Sequence, residues 1–326
     1  MIELNTKKKI KVNVPENFNE DDTPKFGVND AGIREYYIEH GYVILKNLIK
    51  PRICDELKDI WNNEIKPSKS YIYRQASAKP EKHIFNSNNW VMNPILNLQS
   101  LDPKEFNKLR QKSLDLFSNK DLCKIFKILL KDKPKIVQSM YFEGNSETWE
   151  HQDTYYLDSN VLGTMAGAWI ALEKIHADAG RFFICPKSHN FEKLHTKSNN
   201  IVENHVGYVN EIIDLIKEEN IKVKAPFMDV GDVLFWNSKT IHGSLASQSK
   251  KHSRSSITCH AIAKSHELIQ YQKNIKKSNM TESEESIINY PKDLSRIKNK
   301  LIFNLEILFP NLSNTIKSKL IKFKLI

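Results

Sequence analysis

The sequence contains no long apolar run. Within its 326 residues, no stretch approaches the roughly 20 apolar residues that a transmembrane helix needs. The first residues, MIELNTKKKIKVNVPEN, include basic side chains at Lys7–Lys9, but no apolar segment follows them. A secretory signal needs both features, so we expect neither a membrane span nor a signal peptide.

Cysteine is scarce and scattered. The four cysteines, Cys54, Cys123, Cys185 and Cys259, lie far apart, and no two of them form a CxxC pair. A disulfide framework or a zinc knuckle needs a more regular set of closely spaced cysteines. The spacing therefore indicates reduced thiols, and we expect a cytoplasmic protein.

The sequence also lacks a repeat of solenoid length and any recognisable nucleic-acid-binding module, so nucleic acid is not an expected partner. Its charge is nevertheless basic and unevenly spread. Residues 292–326 carry eight Lys or Arg residues against Asp293 and Glu306, which is more than half of the net charge of +10. The basic balance favours a small anionic molecule as the substrate.

Two interpretations of this basic end stay open. The final TIKSKLIKFKLI places Ile316, Leu320 and Phe323 at helical spacing. A basic amphipathic segment is a candidate for peripheral contact with membrane headgroups or acidic partners. An ordinary surface helix would instead pack its apolar side on the protein and leave its lysines in water. The oligomeric state is not indicated by either pattern.

The pattern divides the chain into three parts. Residues 1–27 are predicted to form an irregular N-terminal arm. Residues 28–264 are predicted to form one domain that begins with helices. Within it, residues 65–103 are rich in Ser, Asn, Pro and Lys, too long for a plain connection, and are a candidate substrate loop or lid. Residues 265–326 are predicted to be a basic, mainly helical extension.

Strand patterns dominate the middle of the chain. KIVQSMYFEG alternates, which predicts Ile136, Gln138, Met140 and Phe142 on one face of a strand. Further apolar or alternating runs follow: GTMAGAWIALEKI, GRFFICP, KAPFMDV, DVLFWNS and SSITCHAIA. Such spacing gives about six to eight strands. We predict a mainly β core, a double-stranded β-helix (a jelly-roll or cupin-like barrel) flanked by N- and C-terminal helices.

A metal-binding pattern lies among these strands. In ETWEHQDTYYLD, one residue separates His151 from Asp153, and on a strand both side chains would leave the same face. In DVGDVLFWNSKTIHGS, a turn and an apolar strand precede His242. Two histidines and one carboxylate form the facial triad of non-haem Fe(II) oxygenases, which leaves metal positions open. An isolated HxD is more often a core histidine bonded to a carboxylate, so further residues must support the assignment.

Arg254 and Ser244 give that support. Arg254 lies twelve residues after His242, across a predicted hairpin (LASQSKKHS) and at the start of the run SSITCHAIA. An arginine there can reach into the barrel and bind a carboxylate with two hydrogen bonds. Ser244 lies on the same strand face as His242 and can add a hydroxyl group. Open metal positions beside an Arg–Ser pair suit 2-oxoglutarate, with its ketoacid end on the metal and its distal carboxylate on the pair.

With these residues the sequence resembles the phytanoyl-CoA dioxygenase family of Fe(II)- and 2-oxoglutarate-dependent oxygenases. The resemblance runs from EYYIEHGYVILKNLIKPRICDELKDIW to about residue 264 and includes HQD, TMAGAWIALEKIHADAGRFFICPKSHN and DVGDVLFWNSKTIHGS. It implies that His151, Asp153 and His242 bind iron. It further implies that Arg254 and Ser244 bind 2-oxoglutarate and that Trp169 lines the pocket of this cofactor.

The chain departs from the family pattern at two places. Lys187 stands where glycine is usual, and the interval from His242 to Arg254 is one residue longer than in several relatives. At Asp153 the chain agrees with the hydroxylating members. Halogenating relatives have a small residue there, so the resemblance implies hydroxylation or another oxidation.

Three more residues near the motif are candidates for contacts with small molecules. Gln138 is a candidate for binding the co-substrate, and Gln152 and Tyr155 for binding the substrate. A satisfied core amide explains Gln138 equally well, and core packing explains Tyr155 equally well. His176 and His260 are not expected to be ligands, because the triad is complete without them.

The prediction is therefore a dioxygenase that uses Fe(II), 2-oxoglutarate and O2 to hydroxylate an aliphatic C–H bond of a small anionic substrate, with succinate and CO2 as co-products. No catalytic residue beyond the metal ligands is predicted, because the cofactor supplies the chemistry. Two alternatives stay open. One is a non-catalytic jelly-roll binding protein, and the other is a membrane- or polyanion-associated protein that relies on the basic C-terminal tail.

Overall fold

The computed structural model describes residues 1–145, 147–191, 205–272 and 274–310. In these ranges the α-helices are α1 Ile33–His40, α2 Pro51–Ile60, α3 Asn107–Phe117, α4 Lys120–Leu130, α5 His205–Glu218 and α6 Ile297–Leu308. A π-helical turn, Trp61–Ile65, continues α2. None of the helices in the described ranges has the length and apolarity that crossing a bilayer requires.

The strands in the described ranges are β1 Ile2–Asn5, β2 Lys11–Val14, β3 Lys25–Phe26, β4 Tyr42–Leu45, β5 Ile72–Tyr73, β6 Pro80–Glu81, β7 Ile95–Leu96, β8 Pro134–Phe142, β9 Thr148–His151, β10 Leu157–Ser159, β11 Ala166–Ala171, β12 Phe182–Ile184, β13 Val233–Asn237, β14 His242–Ser244, β15 Ser256–Ala263, β16 Leu268–Gln270, β17 Asn274–Ile275, β18 Asn279–Glu282 and β19 Ile287–Tyr290.

Nine strands form the central sheet. Their order is β18-β19-β8-β15-β11-β13-β4-β3, with β7 also paired to β8. Across the middle of this sheet β8, β15, β11, β13 and β4 are antiparallel neighbours. A smaller sheet of order β12-β14-β9 faces it. The two sheets form the predicted double-stranded β-helix.

The central sheet has two different faces. One face packs against α1–α4 through a large apolar cluster that includes Leu57, Phe126 and Phe235. The opposite face packs against the smaller sheet through a second cluster that includes Trp169, Phe182 and Trp236. The candidate site lies on this second face, so the helices support the site from behind.

Local sequence explains the helix layer. The Asn119 side chain caps α4 by accepting hydrogen bonds from the backbone N–H groups of Asp121 and Leu122. The apolar residues that α4 buries, Leu122, Ile125, Phe126 and Leu129, follow the helical repeat. Helix α1 ends at Gly41, whose φ of +79° is left-handed, a conformation that favours glycine at the C-terminal end of a helix.

Two predictions about the ends of the chain are wrong. Residues 1–27 are not irregular throughout, because β1 and β2 form a hairpin and bury Leu4, Val12 and Val14 against Phe183. Nor is the chain mainly helical from residue 265, since β16–β19 come before α6. Both ends also add strands, β3, β18 and β19, to the central sheet. The tail 311–326 lies outside the described residues.

A third prediction fails within β8. Ile136 was expected on the same face as Gln138 and Phe142, but it packs on the helix side of the sheet. The pairing with β15 shifts register here: Gln138 lies opposite His260, whereas Ile136 lies opposite Ala261. Val137 is therefore an extra residue, a β-bulge that reverses the alternation.

Candidate metal centre

Two neighbouring strands bring the predicted ligands together. His151 ends β9 and His242 begins β14, and the two residues lie directly opposite each other. The sequence predicted that Asp153 lies on the same strand as His151, but Asp153 instead begins a 3-10 turn, Asp153–Tyr155. One ligand atom from each of the three residues lies within 4.8 Å of the other two. Among the described residues, this is the one group of His, Cys, Asp or Glu side chains that could hold a metal ion.

Backbone carbonyls fix the orientation of both imidazoles. Nδ1 of His151 lies 2.8 Å from the carbonyl oxygen of Trp149, and Nδ1 of His242 lies 2.9 Å from that of Thr240. A carbonyl can only accept, so each Nδ1 carries the proton and donates it. Each Nε2 then has a lone pair free for a metal. These two atoms lie 3.9 Å and 3.6 Å from Oδ1 of Asp153.

The charges of the site suit a divalent cation. Burial opposes ionisation of Asp153, but the imidazoles around it, His242 first, outweigh burial and hold the pKa of this carboxyl below its ordinary value. Burial lowers the pKa of His242 to about 3, although Asp153 favours the charged form. At neutral pH His242 is therefore uncharged and Asp153 ionised, which are the states in which they bind metal.

The donor set fits Fe(II). Two imidazole nitrogens and one carboxylate oxygen are present, whereas structural zinc sites more often use four ligands and thiolates. Three protein ligands on one side of the ion leave coordination positions open, as in the facial triads of non-haem iron oxygenases. The two histidines and Asp153 are mostly buried, with side-chain exposures of 14%, 5% and 7%.

The second oxygen of Asp153 also has partners. The indole N–H of Trp236 donates to Oδ2 at 2.7 Å, and Nε2 of His260 lies 3.2 Å from the same oxygen. The sequence does not predict His260 to be a metal ligand, and no local pattern marks Trp236 as a partner of Asp153. The alternation of SSITCHAIA could have placed His260 on the inner face, but its contact with Asp153 depends on folding that brings distant segments together.

Arg254 provides a buried positive charge beside the triad. Its guanidinium carbon lies 5.1 Å from the ring centre of Phe142 and 5.3 Å from that of Trp169. Trp169 in turn stacks on Phe182, which stacks on His242. Only 3% of Arg254 is exposed, and burial lowers the pKa of its guanidinium to about 9.

The guanidinium group of Arg254 has unpaired hydrogen-bond donors. Nε and Nη1 of Arg254 have no hydrogen-bond partner among the described residues, and neither does the indole N–H of Trp169. An unpaired buried cation is costly unless an anion compensates it. The residues present therefore fit a carboxylate bound between Arg254 and Trp169, as 2-oxoglutarate would supply.

Ser244 lies two residues after His242 on β14. Its Oγ accepts hydrogen bonds from the Asn145 amide, at 2.8 Å, and from the backbone N–H of Thr148, at 3.1 Å. With two donors already on the oxygen, the hydroxyl proton is directed to an acceptor elsewhere. Asn145 was not predicted from the sequence, because nothing in its local pattern shows that it contacts β14.

The remaining predicted site residues are placed as follows. Gln138 is half-buried and lies opposite His260, on the site face. The side chain of Gln152 is buried, and its amide N–H donates a hydrogen bond to the carbonyl oxygen of Lys239. This donor is therefore used within the protein. Tyr155 stacks on Tyr208 of α5 with ring centres 3.8 Å apart. Contacts of these three with small molecules stay predictions.

Arg254 reaches this position by a different connection from the one predicted. Strand β14 pairs with β12 and β9, whereas β15 pairs with β11 and β8. The segment between β14 and β15 is therefore a crossover between the two sheets, not a hairpin. Such a crossover tolerates the additional residue between His242 and Arg254.

Comparison with known proteins agrees with this geometry. The family model for phytanoyl-CoA dioxygenase (PhyH) matches residues 37–256. Peroxisomal phytanoyl-CoA dioxygenase from Bos taurus is 24% identical over 235 residues, which are 70% of this chain and 66% of that protein. The Homo sapiens protein is 25% identical over 239 residues, with the same coverage. The matched region thus spans slightly less than two thirds of these curated relatives.

Solved structures resemble the fold at lower identity. The carbocyclase SnoK from nogalamycin biosynthesis has a TM-score of 0.53 and 16% identity, covering 75% of this chain and 88% of that one. The epimerase SnoN, in complex with Fe3+, alpha ketoglutarate and nogalamycin RO, has a TM-score of 0.54 and 14% identity, covering 80% and 95%. EctD from S. alaskensis, with 2-oxoglutarate and 5-hydroxyectoine, has a TM-score of 0.54 and 14% identity, covering 77% and 82%. The predicted fold class is confirmed.

Proposed function

The chain belongs to the phytanoyl-CoA dioxygenase family, and we propose that it is an Fe(II)- and 2-oxoglutarate-dependent oxygenase. The observation that carries the proposal is the convergence of Nε2 of His151, Nε2 of His242 and a carboxylate oxygen of Asp153. The buried, unpaired donors of Arg254 support the second cofactor. Structural neighbours described with Fe3+ and alpha ketoglutarate, or with 2-oxoglutarate, agree with it.

Each residue has a separate task in this proposal. Iron and 2-oxoglutarate, when bound, activate O2 for attack on a C–H bond. Arg254 holds the distal carboxylate of the co-substrate with two hydrogen bonds, and its fork fixes orientation as well as charge. Ser244 donates its hydroxyl to the same carboxylate, and Trp169 closes one side of the pocket. Gln138 is proposed as a further polar contact of the co-substrate.

The aromatic walls exclude water around the triad. Phe182 and Trp236 pack against His242, with ring centres 5.3 Å and 5.1 Å away. Both aromatic residues are buried. A dry pocket strengthens every charge interaction in it and limits side reactions with solvent.

We propose hydroxylation of an aliphatic C–H bond as the outcome, with succinate and CO2 as co-products. Structural neighbours described as a carbocyclase and an epimerase have the same fold, so fold alone does not select the outcome. The curated relatives are described as dioxygenases, and the carboxylate ligand at Asp153 supports hydroxylation over halogenation. The net charge of +10 supports a small anionic substrate, and Gln152 and Tyr155 are proposed to contact it.

The segment 65–103, apart from β7, which pairs with β8 in the central sheet, is proposed to cover the substrate. It is anchored beside the co-substrate site at Glu143, whose carboxylate pairs with Lys66 at 2.6 Å and accepts the backbone N–H of Val91 at 2.7 Å. The carbonyl oxygen of Glu143 accepts the backbone N–H of Arg254 at 2.8 Å. Glu143 thus connects Lys66 and Val91 of the segment with Arg254, the residue proposed to bind the co-substrate.

We also propose peripheral contact of the C-terminal end with an anionic membrane surface. Helix α6 exposes an apolar stripe, with Ile297 80%, Leu301 59%, Leu305 45% and Leu308 69% exposed. Basic residues flank this stripe in the sequence, and those of 311–326 have no acidic side chain among them. Apolar and basic side chains together are what interfacial helices use. A cytoplasmic location is proposed from the four buried, free cysteines.

The activity is tested by incubating the Fe(II)-loaded protein with 2-oxoglutarate, O2 and candidate carboxylate or thioester substrates. The proposal predicts succinate formation that a true substrate accelerates and that Asp153→Ala abolishes. Full succinate formation by Asp153→Ala would contradict it.

A further inference from the structure

A single row of residues crosses the central sheet beneath the metal centre. Trp236 on β13 lies opposite Gly167 on β11, Gly167 lies opposite His260 on β15, and His260 lies opposite Gln138 on β8. Directly paired residues of neighbouring strands point to the same face. Since Trp236 contacts Asp153, the whole row faces the triad.

Gly167 leaves space for the indole of Trp236. A Cβ atom on this glycine would lie 2.2 Å from Cζ2 and 2.4 Å from Cε2 of Trp236, closer than such atoms can approach. The indole of Trp236 therefore occupies the space beside β11 that the side chain of any residue except glycine would fill at position 167. This close approach directs the indole N–H toward Asp153.

The two oxygens of Asp153 have different neighbours. Oδ1 faces the metal-binding nitrogens, 3.9 Å from Nε2 of His151 and 3.6 Å from Nε2 of His242. Oδ2 accepts the Trp236 N–H at 2.7 Å and lies 3.2 Å from Nε2 of His260. A carboxylate held in this way presents one oxygen to the metal and keeps the other engaged by the protein.

We propose that Trp236 is a positioning residue that makes Asp153 a one-oxygen ligand, and that Gly167 is required for Trp236 to do so. The proposal rests on the function proposed above. A carboxylate bound through both oxygens would occupy one of the positions that the co-substrate and O2 need. Nε2 of His260 lies 3.2 Å from Oδ2, so this oxygen has a buried imidazole beside it as well as the Trp236 N–H.

The test uses Mn(II) alone, titrated into the metal-free protein, with the free ion followed by electron paramagnetic resonance. Trp236→Phe removes the N–H and keeps a buried ring, and Gly167→Ala displaces the indole without removing any polar group. We expect both variants to bind Mn(II) about 10- to 100-fold more weakly, the usual effect of losing a group that orients a ligand.

Trp61→Phe is the matched control. The indole of Trp61 is buried, stacks on Tyr141 with ring centres 4.1 Å apart, and belongs to the cluster on the helix side of the sheet. Its Nε1 has no hydrogen-bond partner among the described residues. We expect this variant to lose thermal stability but to keep the Mn(II) affinity of the wild type within about twofold, because it touches no ligand.

Asp153→Ala separates the two possible failures. If Asp153→Ala binds Mn(II) as tightly as the wild type, the triad is not a metal site and the proposed function fails. If Asp153→Ala loses Mn(II) binding while folded Trp236→Phe and Gly167→Ala retain it, only the positioning role is overturned. Equal weakening in Trp61→Phe would also overturn that role, because the effect would then not be specific to the row beneath Asp153.

Discussion

His151 and His242 face each other across β9 and β14, and each donates its Nδ1 proton to a backbone carbonyl two residues earlier in the chain. The same local arrangement thus occurs twice in one strand pair. It fixes both imidazoles with Nε2 directed at a common point before any metal binds. Asp153 completes the set from a 3-10 turn, so the metal centre is largely preorganised by main-chain geometry.

Removing the carboxylate should disable the centre. Asp153→Ala eliminates the anionic ligand and leaves two neutral imidazoles. Losing a group that only orients a ligand costs about 10- to 100-fold in metal affinity, and we expect the loss of the ligand itself to cost more. Equilibrium dialysis measures the affinity. Asp158→Ala is the control, because Asp158 is buried on β10 but is not one of the three metal-binding residues; a similar loss in this variant would show a general folding defect.

Binding of 2-oxoglutarate should require the planar guanidinium group of Arg254 and not only its positive charge. Arg254→Lys retains a cation but cannot form two parallel hydrogen bonds to a carboxylate, so we expect KM for 2-oxoglutarate to rise about 10-fold or more, with Fe(II) affinity unchanged. Arg110→Lys changes a buried arginine that pairs with Asp293 instead and should leave KM unchanged. An unaltered KM in Arg254→Lys would remove Arg254 from the co-substrate site.

The metal-free protein should lose stability in mild acid. Burial lowers the pKa of His242 from its ordinary 6.5 to about 3, so below pH 6.5 the unfolded chain binds a proton that the folded chain does not. The free energy of unfolding therefore falls as pH decreases from 6.5 toward 3, by up to about 1.4 kcal/mol per pH unit for this residue. Urea unfolding at several pH values measures the slope. His242→Gln should reduce the slope by up to about 1.4 kcal/mol per pH unit, while His83, whose pKa burial lowers to about 4, keeps part of it; an identical slope in that variant would assign the effect to other groups.

Substituting Gly231 should destabilise the protein more than substituting Gly32, although both glycines have left-handed backbone conformations. Its φ is +80° and an added Cβ would lie 2.0 Å from the carbonyl oxygen of Ile49, whereas Gly32, with φ +81°, has nothing within 4 Å. Gly32→Ala should cost about 1–2 kcal/mol from backbone conformation alone. Gly231→Ala should cost about 1–3 kcal/mol more because of the clash. Equal losses in urea unfolding would contradict the packing described for this turn.

The C-terminal end should bind anionic vesicles. We expect the full chain to sediment with phosphatidylserine-containing vesicles and not with pure phosphatidylcholine. Deleting 311–326 should weaken this binding, since each lysine near such a surface contributes about 1 kcal/mol. Leu301→Asp, on the exposed stripe of α6, should weaken it further. Binding that survives both changes would exclude this end as the anchor.

The metal ligands were predictable because their residue types define a recognisable pattern, although His242 lies far from His151 and Asp153 in the chain. HxD followed by a distant His is a pattern that the residue types themselves define, and Arg254 and Ser244 follow at short intervals. The partners of Asp153 were not predictable in this way. The contact of Trp236 with Asp153 joins residues 83 positions apart and depends on Gly167 lying between two strands that are not consecutive in the chain.

The fold shows the same limit. Alternation identified the strands of the core, but a single bulge at Val137 places Ile136 on the face opposite to the one predicted, and no local pattern marks the bulge. Strand β19 lies in the part of the chain that the sequence predicts to be mainly helical, but it pairs with the neighbouring β18 and, in parallel, with β8, more than 150 residues earlier. Pairing between distant segments overrides local preference at such places.

One measurement tests the central claim most directly. Fe(II) and 2-oxoglutarate are added to the protein without oxygen, and the visible absorption spectrum is recorded. Bidentate binding of the ketoacid to iron held by His151, Asp153 and His242 predicts a weak charge-transfer band that is absent with either component alone and is lost in Asp153→Ala. A folded protein that shows no such band at saturating Fe(II) and 2-oxoglutarate would contradict the assignment.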